Sequence, residues 1–322
     1  MMVVLNNYCG RADDYRRLAA ARATGSGSVP PAAETQHTQG KAVMSSKVVL
    51  VTGTSSGIGL ASAVAAARAG WATVATLRDP ERAGALREAA DRAGVSIDVR
   101  QLDVTDPDSV TAALDGVIAD YGRLDALINN AGAGHVGTIE NETVEDVRRV
   151  MEVNFFGVVQ TTKAALPHLR ASGGRLITVT SVGGVVGQPF NEAYCAAKFA
   201  VEGFMESLAP VVGRLGVAVS VVEPGAVATE FVNNIDLDPA QVIAAAGDYA
   251  EPLRGYVTRT QGQFAHSAQT PEQVADTVME ALTAERPAFR LQTSDWARAF
   301  TGTKLADNDG SAVLAITSAY LG

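Results

Sequence analysis

A phenol and an ammonium stand four residues apart in Tyr194-Cys195-Ala196-Ala197-Lys198, and on a helix side chains at that spacing leave from one face. A phenol titrates at roughly 10 in model peptides, and a neighbouring cation favours phenolate. That shift brings the group toward working pH for proton exchange with an alcohol or carbonyl oxygen, which makes Tyr194 a candidate acid/base. Such a pair is common on helix surfaces, so its company decides. Ser181, in Thr180-Ser181-Val182-Gly183-Gly184, closes an apolar β-rich run upstream. A hydroxyl there lies at the carboxyl end of a parallel strand, where open sheets bind ligands, and is placed to hold a reacting oxygen.

A second set of residues is suited to a dinucleotide. The run Val48 to Val51 leads directly into Thr52-Gly53-Thr54-Ser55-Ser56-Gly57-Ile58-Gly59 and then into an Ala-rich helical stretch. In that context glycines allow a tight turn, and the free N–H groups of the helix start attract pyrophosphate. The spacing is Gly-x3-Gly-x-Gly rather than the commoner Gly-x-Gly-x2-Gly. The next strand ends in Thr76-Leu77-Arg78-Asp79. A carboxylate at the strand end would bond the ribose 2′-OH of NAD, which Leu77 cannot do, whereas Arg78 can hold a 2′-phosphate with Ser55 as a second donor. NADP(H) is therefore expected over NAD(H), the alternative being Asp79 as ribose ligand. Asp103 and Val104 follow the third apolar run, within reach of adenine, although Asp103 can equally cap a turn. Asn129-Asn130-Ala131-Gly132 ends the fourth, where small residues admit a cofactor and amides can fix strand ends.

The elements that must position these residues alternate β-rich and helical patterns from Lys47 onward, as βαβ units do. Strands are expected at Val48–Val51, Thr73–Leu77, Ile97–Leu102, Leu124–Ile128, Arg175–Val179, Val217–Val222 and Phe289–Gln292. Helices are expected over Leu60–Ala69, Val110–Tyr121, Val144–Leu169, Ala193–Val212 and Pro271–Leu282. The fold class is α/β: one Rossmann-like, doubly wound domain over 47–322, with a seven-stranded parallel sheet flanked by helices. Residues 226–270 are too long for an ordinary connection and suit a substrate-covering segment. Residues 1–46 mix Gly, Ser, Pro and Gln without periodicity and are expected to be disordered.

With 322 residues, 47% of them hydrophobic, the chain can bury a large core. Its formal charge of −9 opposes nucleic acid and anionic membrane partners. The two cysteines, Cys9 and Cys195, are expected as free thiols in a reducing, cytoplasmic setting. No apolar run is long enough to span a membrane. His135 and His168 stand apart and read as solvent-facing or capping residues, so no metal is expected.

In order and spacing, Thr52 to Gly59, Asn129 to Gly132, Ser181, Tyr194 with Lys198, and Pro224-Gly225 resemble the short-chain dehydrogenase/reductase family, over roughly Lys47 to Leu291. The resemblance implies that Asn154 supports a proton relay to Lys198 and that Lys198 also bonds the nicotinamide ribose. It further implies that Thr229, after Pro224-Gly225-Ala226-Val227, touches the nicotinamide carboxamide or pyrophosphate. Ala75 to Asp79, Ser181 to Gly184, Pro189-Phe190-Asn191 and Tyr194 to Ala196 are similar to the 17β-hydroxysteroid dehydrogenase type 1 and retinol dehydrogenase branch. That branch implies NADP and a lipophilic ketone, aldehyde or alcohol, and the family implies a homodimer or homotetramer through the long helices. Val185, Val186, Phe190 and Phe231 could line the pocket or belong to the core. Two other functions fit less well. A reductase acting on an acidic carrier protein needs a basic mouth, but 226–270 carries Glu230, Asp236, Asp238, Asp248 and Glu251 against Arg254 and Arg259. A non-catalytic NADP sensor need not retain Asn154, Ser181, Tyr194 and Lys198 together.

Overall fold

Short runs such as Val-Val-Leu-Val-Thr have no polar face to give to water, so they can only be strands covered on both sides. The computed structural model, which describes residues 46–229, 239–307, 309 and 311–319, places them in this way. Seven strands, β1 (Val48–Thr52), β2 (Ala72–Leu77), β3 (Asp98–Gln101), β4 (Ala126–Asn129), β5 (Arg175–Val179), β6 (Ala218–Glu223) and β7 (Arg290–Gln292), form one sheet in the order β3-β2-β1-β4-β5-β6-β7. Every pairing is parallel. The helices are α1 (Gly57–Arg68), α2 (Gly84–Ala93), α3 (Pro107–Tyr121), α4 (Val144–Met151), α5 (Gly157–Ser172), α6 (Glu192–Gly213), α7 (Pro239–Ala245), α8 (Ala250–Ser267), α9 (Pro271–Thr283), α10 (Asp295–Ala306) and α11 (Ser311–Ser318). Residues 1–45, with the expected disordered stretch and Cys9, lie outside the described residues, as do Glu230, Phe231, Asp236 and Asp238.

Two apolar layers hold the sheet. On one face Leu50, Val74, Leu127 and Leu176 pack with Val117, Leu169, Val201 and Met205 from α3, α5 and α6. On the other, Val49, Val51, Ile128 and Ile177 pack with Ala63 and Ala66 of α1 and Val274 and Val278 of α9. Each such side chain contributes about 1.5–3 kcal/mol through burial. The small residues of α1 let α9 lie close against it. Because the strand order reverses between β1 and β4, their carboxyl ends open the crevice where doubly wound sheets bind ligands.

Three differences from the sequence pattern matter. The single helix expected over Val144–Leu169 is interrupted by a π turn at Glu152–Phe156 between α4 and α5. Such turns insert one residue into the helical ladder and often mark functional sites. The segment 226–270, expected to cover the substrate, carries two helices that the sequence pattern did not single out, α7 and α8. The sequence also gave no strong signal for α2, whose buried side chains are only Leu86 and Ala90, or for α10 and α11. Among the described residues no helix is long and apolar enough to cross a membrane.

Candidate active site

The glycine loop starts where β1 ends. Gly53 has φ +71° and lies so close to the end of β4 that an added Cβ would stand 2.7 Å from the Ala131 Cα. Gly59 is tighter, with its missing Cβ 2.2 Å from the Gly53 carbonyl oxygen and 2.3 Å from Asn130 Nδ2. Asn130 fixes the approach. Its amide donates to the carbonyls of Thr52 and Gly53 at 3.0 and 2.9 Å, and its backbone N–H donates to the Thr52 hydroxyl at 3.0 Å. Asn129 instead ties β4 to α5 through Thr161 and Thr162. Ser56 caps α1 without a side-chain bond, and Leu60 supplies the first amide with a helical acceptor. The N–H groups of Gly57, Ile58 and Gly59 thus have no acceptor within their own helix, as an anion site at a helix start requires. A Cβ on Gly57 would meet the Thr229 methyl at 3.1 Å, so Thr229 faces this loop from beyond β6.

At the end of β2, Leu77 is buried and Arg78 exposed, and among the described residues no carboxylate pairs with the Arg78 guanidinium. Ser55 is exposed nearby on the loop. Asp79 is committed to a turn, accepting from the Glu81 N–H at 3.0 Å. Asp103 is likewise committed, accepting from the N–H and hydroxyl of Thr105 at 2.9 and 2.8 Å. The Val104 side chain belongs to the core, where Gly157 leaves room for it.

Ser181 follows Thr180 at the end of β5 and caps the short turn Val182–Gly184, accepting from Gly183 N–H at 3.0 Å. Pro224 and Gly225 run alongside it, the Pro224 carbonyl accepting from Val182 N–H at 2.9 Å. Gly225 underlies the Trp296 ring. Val227 is held in a short parallel bridge to Gln269, and the Thr229 N–H donates to the Val227 carbonyl at 2.8 Å. On α6, Tyr194 meets Ser181 hydroxyl to hydroxyl. Lys198 is buried, its Nζ 5.7 Å from the Tyr194 ring centre and 3.3 Å from the Val179 carbonyl to which it donates. Asn154 sits in the π turn, wholly buried. Its amide donates to the carbonyls of Ala133 and Val150, and its oxygen accepts from Ala133 N–H at 3.2 Å. A Cβ on Gly132 would stand 2.9 Å from Asn154 Oδ1 and 3.6 Å from Lys198 Nζ, so both polar ends border this small residue. Asn154, Ser181, Tyr194 and Lys198 therefore come together from three separate elements, the π turn, the end of β5 and α6.

The electrostatics differ from what spacing alone suggests. Burial pushes the Tyr194 phenol above its ordinary range, and the Ser181 hydrogen bond only partly offsets this. Burial pushes Lys198 down to about 8, against an opposing pull from Glu202. Cys195 is a buried free thiol pushed up to about 11, again by burial, and so is not a nucleophile at neutral pH. His135 is half-buried rather than solvent-facing, its Nε2 2.6 Å from Glu142. Phe190 and Val186 pack in clusters with α8 and α10 respectively. Sequence reasoning passed over Glu202, one turn beyond Lys198, although a carboxylate between Val201 and Met205 on a core-facing helix was a visible signal.

A family model described as short chain dehydrogenase matches residues 47–240. The chain belongs to that family. This short chain dehydrogenase is 38% identical over 276 residues to human 17-beta-hydroxysteroid dehydrogenase type 1, covering 83% of this chain and 84% of that protein. It is 37% identical over 273 residues to retinol dehydrogenase 8 of Bos taurus, covering 82% and 87%. A solved short-chain dehydrogenase from Streptomyces avermitilis superposes with a TM-score of 0.67 at 32% identity, covering 84% of this chain and 96% of that one. The protein is thus an oxidoreductase related to steroid and retinol dehydrogenases, of a family that binds nicotinamide dinucleotides.

Proposed function

We propose that this dehydrogenase uses NADP(H) to interconvert a lipophilic ketone or aldehyde and its alcohol, with Tyr194 as the acid/base. The observation that carries the reading is the contact of the Tyr194 and Ser181 hydroxyls above a buried Lys198. A carbonyl oxygen bound between the two hydroxyls is held by Ser181 and protonated by Tyr194. The raised phenol keeps its proton at neutral pH, the form that donates in the reducing direction. Lys198 places a cation below the phenol, where it stabilises the phenolate as that proton leaves. Asn154 anchors the Ala133 backbone beside Lys198 and carries its carboxamide oxygen to the same small space.

The bound cofactor supplies the hydride, while the chain supplies position and charge. Gly53, Ser56, Gly57, Ile58 and Gly59 form the pyrophosphate cradle. Asn130, Ala131 and Gly132 face it from β4, Asp103 and Val104 border the adenine, and Pro224, Gly225, Val227 and Thr229 close the nicotinamide side. The exposed Arg78, with no carboxylate partner among the described residues, supports a 2′-phosphate together with Ser55, since Leu77 offers no carboxylate. The named substrates of the steroid and retinol dehydrogenases similar to this chain support a lipophilic carbonyl, with α7 and α8 as its cover. Exposed Phe156, at the end of the π turn, and Phe199, on α6, support a homodimer or homotetramer, and the reading places the protein in the cytoplasm. The test follows absorbance at 340 nm with NADPH or NADH across lipophilic ketones and aldehydes. Turnover with NADPH is expected, with Tyr194→Phe losing at least roughly 100-fold in kcat while still binding NADPH. Near-normal turnover of that variant sinks the mechanism.

A further inference from the structure

Behind the catalytic face lies a second cluster of charge that the proposed reaction does not use. Glu202 follows Lys198 by one helical turn of α6 and is as thoroughly buried. Its Oε1 accepts a 2.6 Å hydrogen bond from the Thr180 hydroxyl, the residue immediately before Ser181. Its Oε2 faces Arg290, 3.3 Å from Nη2. Arg290, on β7, also meets Glu223 Oε1 at 3.2 Å and the exposed Glu206 at 3.1 Å. Glu223, wholly buried at the end of β6, is further bonded by Gln292 at 2.9 Å. One guanidinium therefore serves three acids, Glu202, Glu206 and Glu223, and of these Glu202 is the one that acts on Lys198.

The other surroundings of α6 are apolar or already paired. Across from α4 and the π turn come Val147, Val150, Met151 and Phe155, with the neutral Asn154. The charged residues of α4 form exposed pairs among themselves, Glu145 with Arg148 and Asp146 with Arg149. The turn Val182–Gly184 packs directly on the pair, since a Cβ on Gly184 would stand 3.0 Å from Glu202 Cγ and 3.1 Å from the Lys198 carbonyl. Burial alone drives Lys198 toward its neutral amine, and Glu202 is the charged group that opposes this. Burial, with Glu223 nearby, also pushes Glu202 up to about 7, despite its bond from Thr180.

We propose that Glu202 is a positioning residue for Lys198: clamped between Thr180 and Arg290, its carboxylate supplies the buried charge that keeps the Lys198 ammonium protonated beneath Tyr194. The inference rests on Lys198 being the cation of the site. Because Thr180 adjoins Ser181, the same clamp ties the helix bearing Tyr194 and Lys198 to the strand end bearing Ser181. As Glu202 titrates near neutrality, the support it gives Lys198 is stronger above that pH than below it.

The ionisation can be read directly, without substrate or cofactor, because the chain has only five lysines, Lys41, Lys47, Lys163, Lys198 and Lys304. Full-length protein labelled at lysine Cε is titrated by NMR, with Lys198→Arg assigning the Lys198 signal. Glu202→Gln keeps the size and the Thr180 bond, and is expected to lower the Lys198 midpoint by roughly 1 pH unit. Glu202→Asp should hold it near the wild-type value. Glu206→Gln removes a charge from the same arginine in solvent and should leave it unmoved. An unchanged midpoint in Glu202→Gln, or an equal shift in Glu206→Gln, overturns the proposal. If Glu202→Gln does not fold, carbon-13 carboxyl titration of the wild type decides, since a Glu202 carboxyl that stays protonated through the Lys198 midpoint supplies it no charge, and that result is equally fatal. Loss of the proposed function would show as active Tyr194→Phe protein, an outcome that these titrations do not touch.

Discussion

Under the proposed mechanism, a buried lysine pushed down to about 8 sets the alkaline edge of activity, because the amine it becomes can neither support phenolate nor donate to a ribose as a cation. At the residue scale the cleaner test is Arg78, whose exposure makes its replacement structurally cheap. Arg78→Leu should raise the KM for NADPH by roughly 10- to 100-fold, the value of a charge-assisted hydrogen bond to phosphate, with the KM for NADH nearly unchanged. Steady-state kinetics with both cofactors measures this, and equal losses for the two would remove Arg78 from the 2′-phosphate. Arg78, Ser181, Tyr194 and Lys198 were legible because each stands in or beside a local pattern that also fixes its element. Glu202 was legible only as a carboxylate among the core residues of its helix and its role was not, because its partners Thr180, Glu223 and Arg290 come from the end of β5, β6 and β7 and nothing local announces them. The pairing of His135 with Glu142 was hidden for a different reason, since a loop has no periodicity from which to infer direction.

Elements impose tighter limits than single side chains. The approach of β1, α1 and β4 at the glycine loop leaves no space at Gly59, whose Cβ would lie against both the Gly53 carbonyl and Asn130 Nδ2. Gly59→Ala must therefore move the helix start or eject Asn130, at a cost of roughly 1–3 kcal/mol. It should lower the melting temperature and abolish NADPH binding as seen by nucleotide fluorescence; a variant that binds normally would show that the crevice is looser than its backbone distances. The strands were readable because two-sided burial leaves short runs rich in valine and other apolar residues, as in Val48–Thr52 and Ala218–Glu223. Helix α2 carries a weaker signal, with a polar surface and two buried side chains. The π turn was invisible in the apolar periodicity around it, and it exists where Asn154 makes its bonds to Val150 and the Ala133 backbone. The α7 and α8 region gains order from distant anchors: Tyr249 donates to Glu140, Asn141 to the Ala245 carbonyl, and Asn191 to the Tyr256 hydroxyl. Asn191 caps the helix that carries Tyr194, so α8 is fastened three residues from Tyr194.

For the whole molecule the buried acids have a thermodynamic consequence opposite to that of ordinary surface carboxylates. Glu202 is pushed up to about 7 and Glu223 is raised as well, both chiefly by burial, whereas an unfolded chain would ionise them near the usual carboxylate value. Between roughly pH 4.5 and 7 the folded state thus holds protons that the unfolded state has released. Stability contributed by these groups is fully present below that window and declines as pH rises through it. The Glu202 shift alone corresponds to up to about 3 kcal/mol, a large fraction of the 5–15 kcal/mol that holds a typical domain folded. The net charge of −9 adds self-repulsion in the same direction as further carboxylates ionise. Thermal or urea denaturation from pH 5 to 8 should show wild-type stability falling relative to Glu202→Gln, which has no proton to lose at this position. A constant difference across that range would mean that Glu202 is already ionised at pH 5, held so by Arg290 and Thr180. The network would then be a permanent ion cluster instead of one that titrates beneath the site.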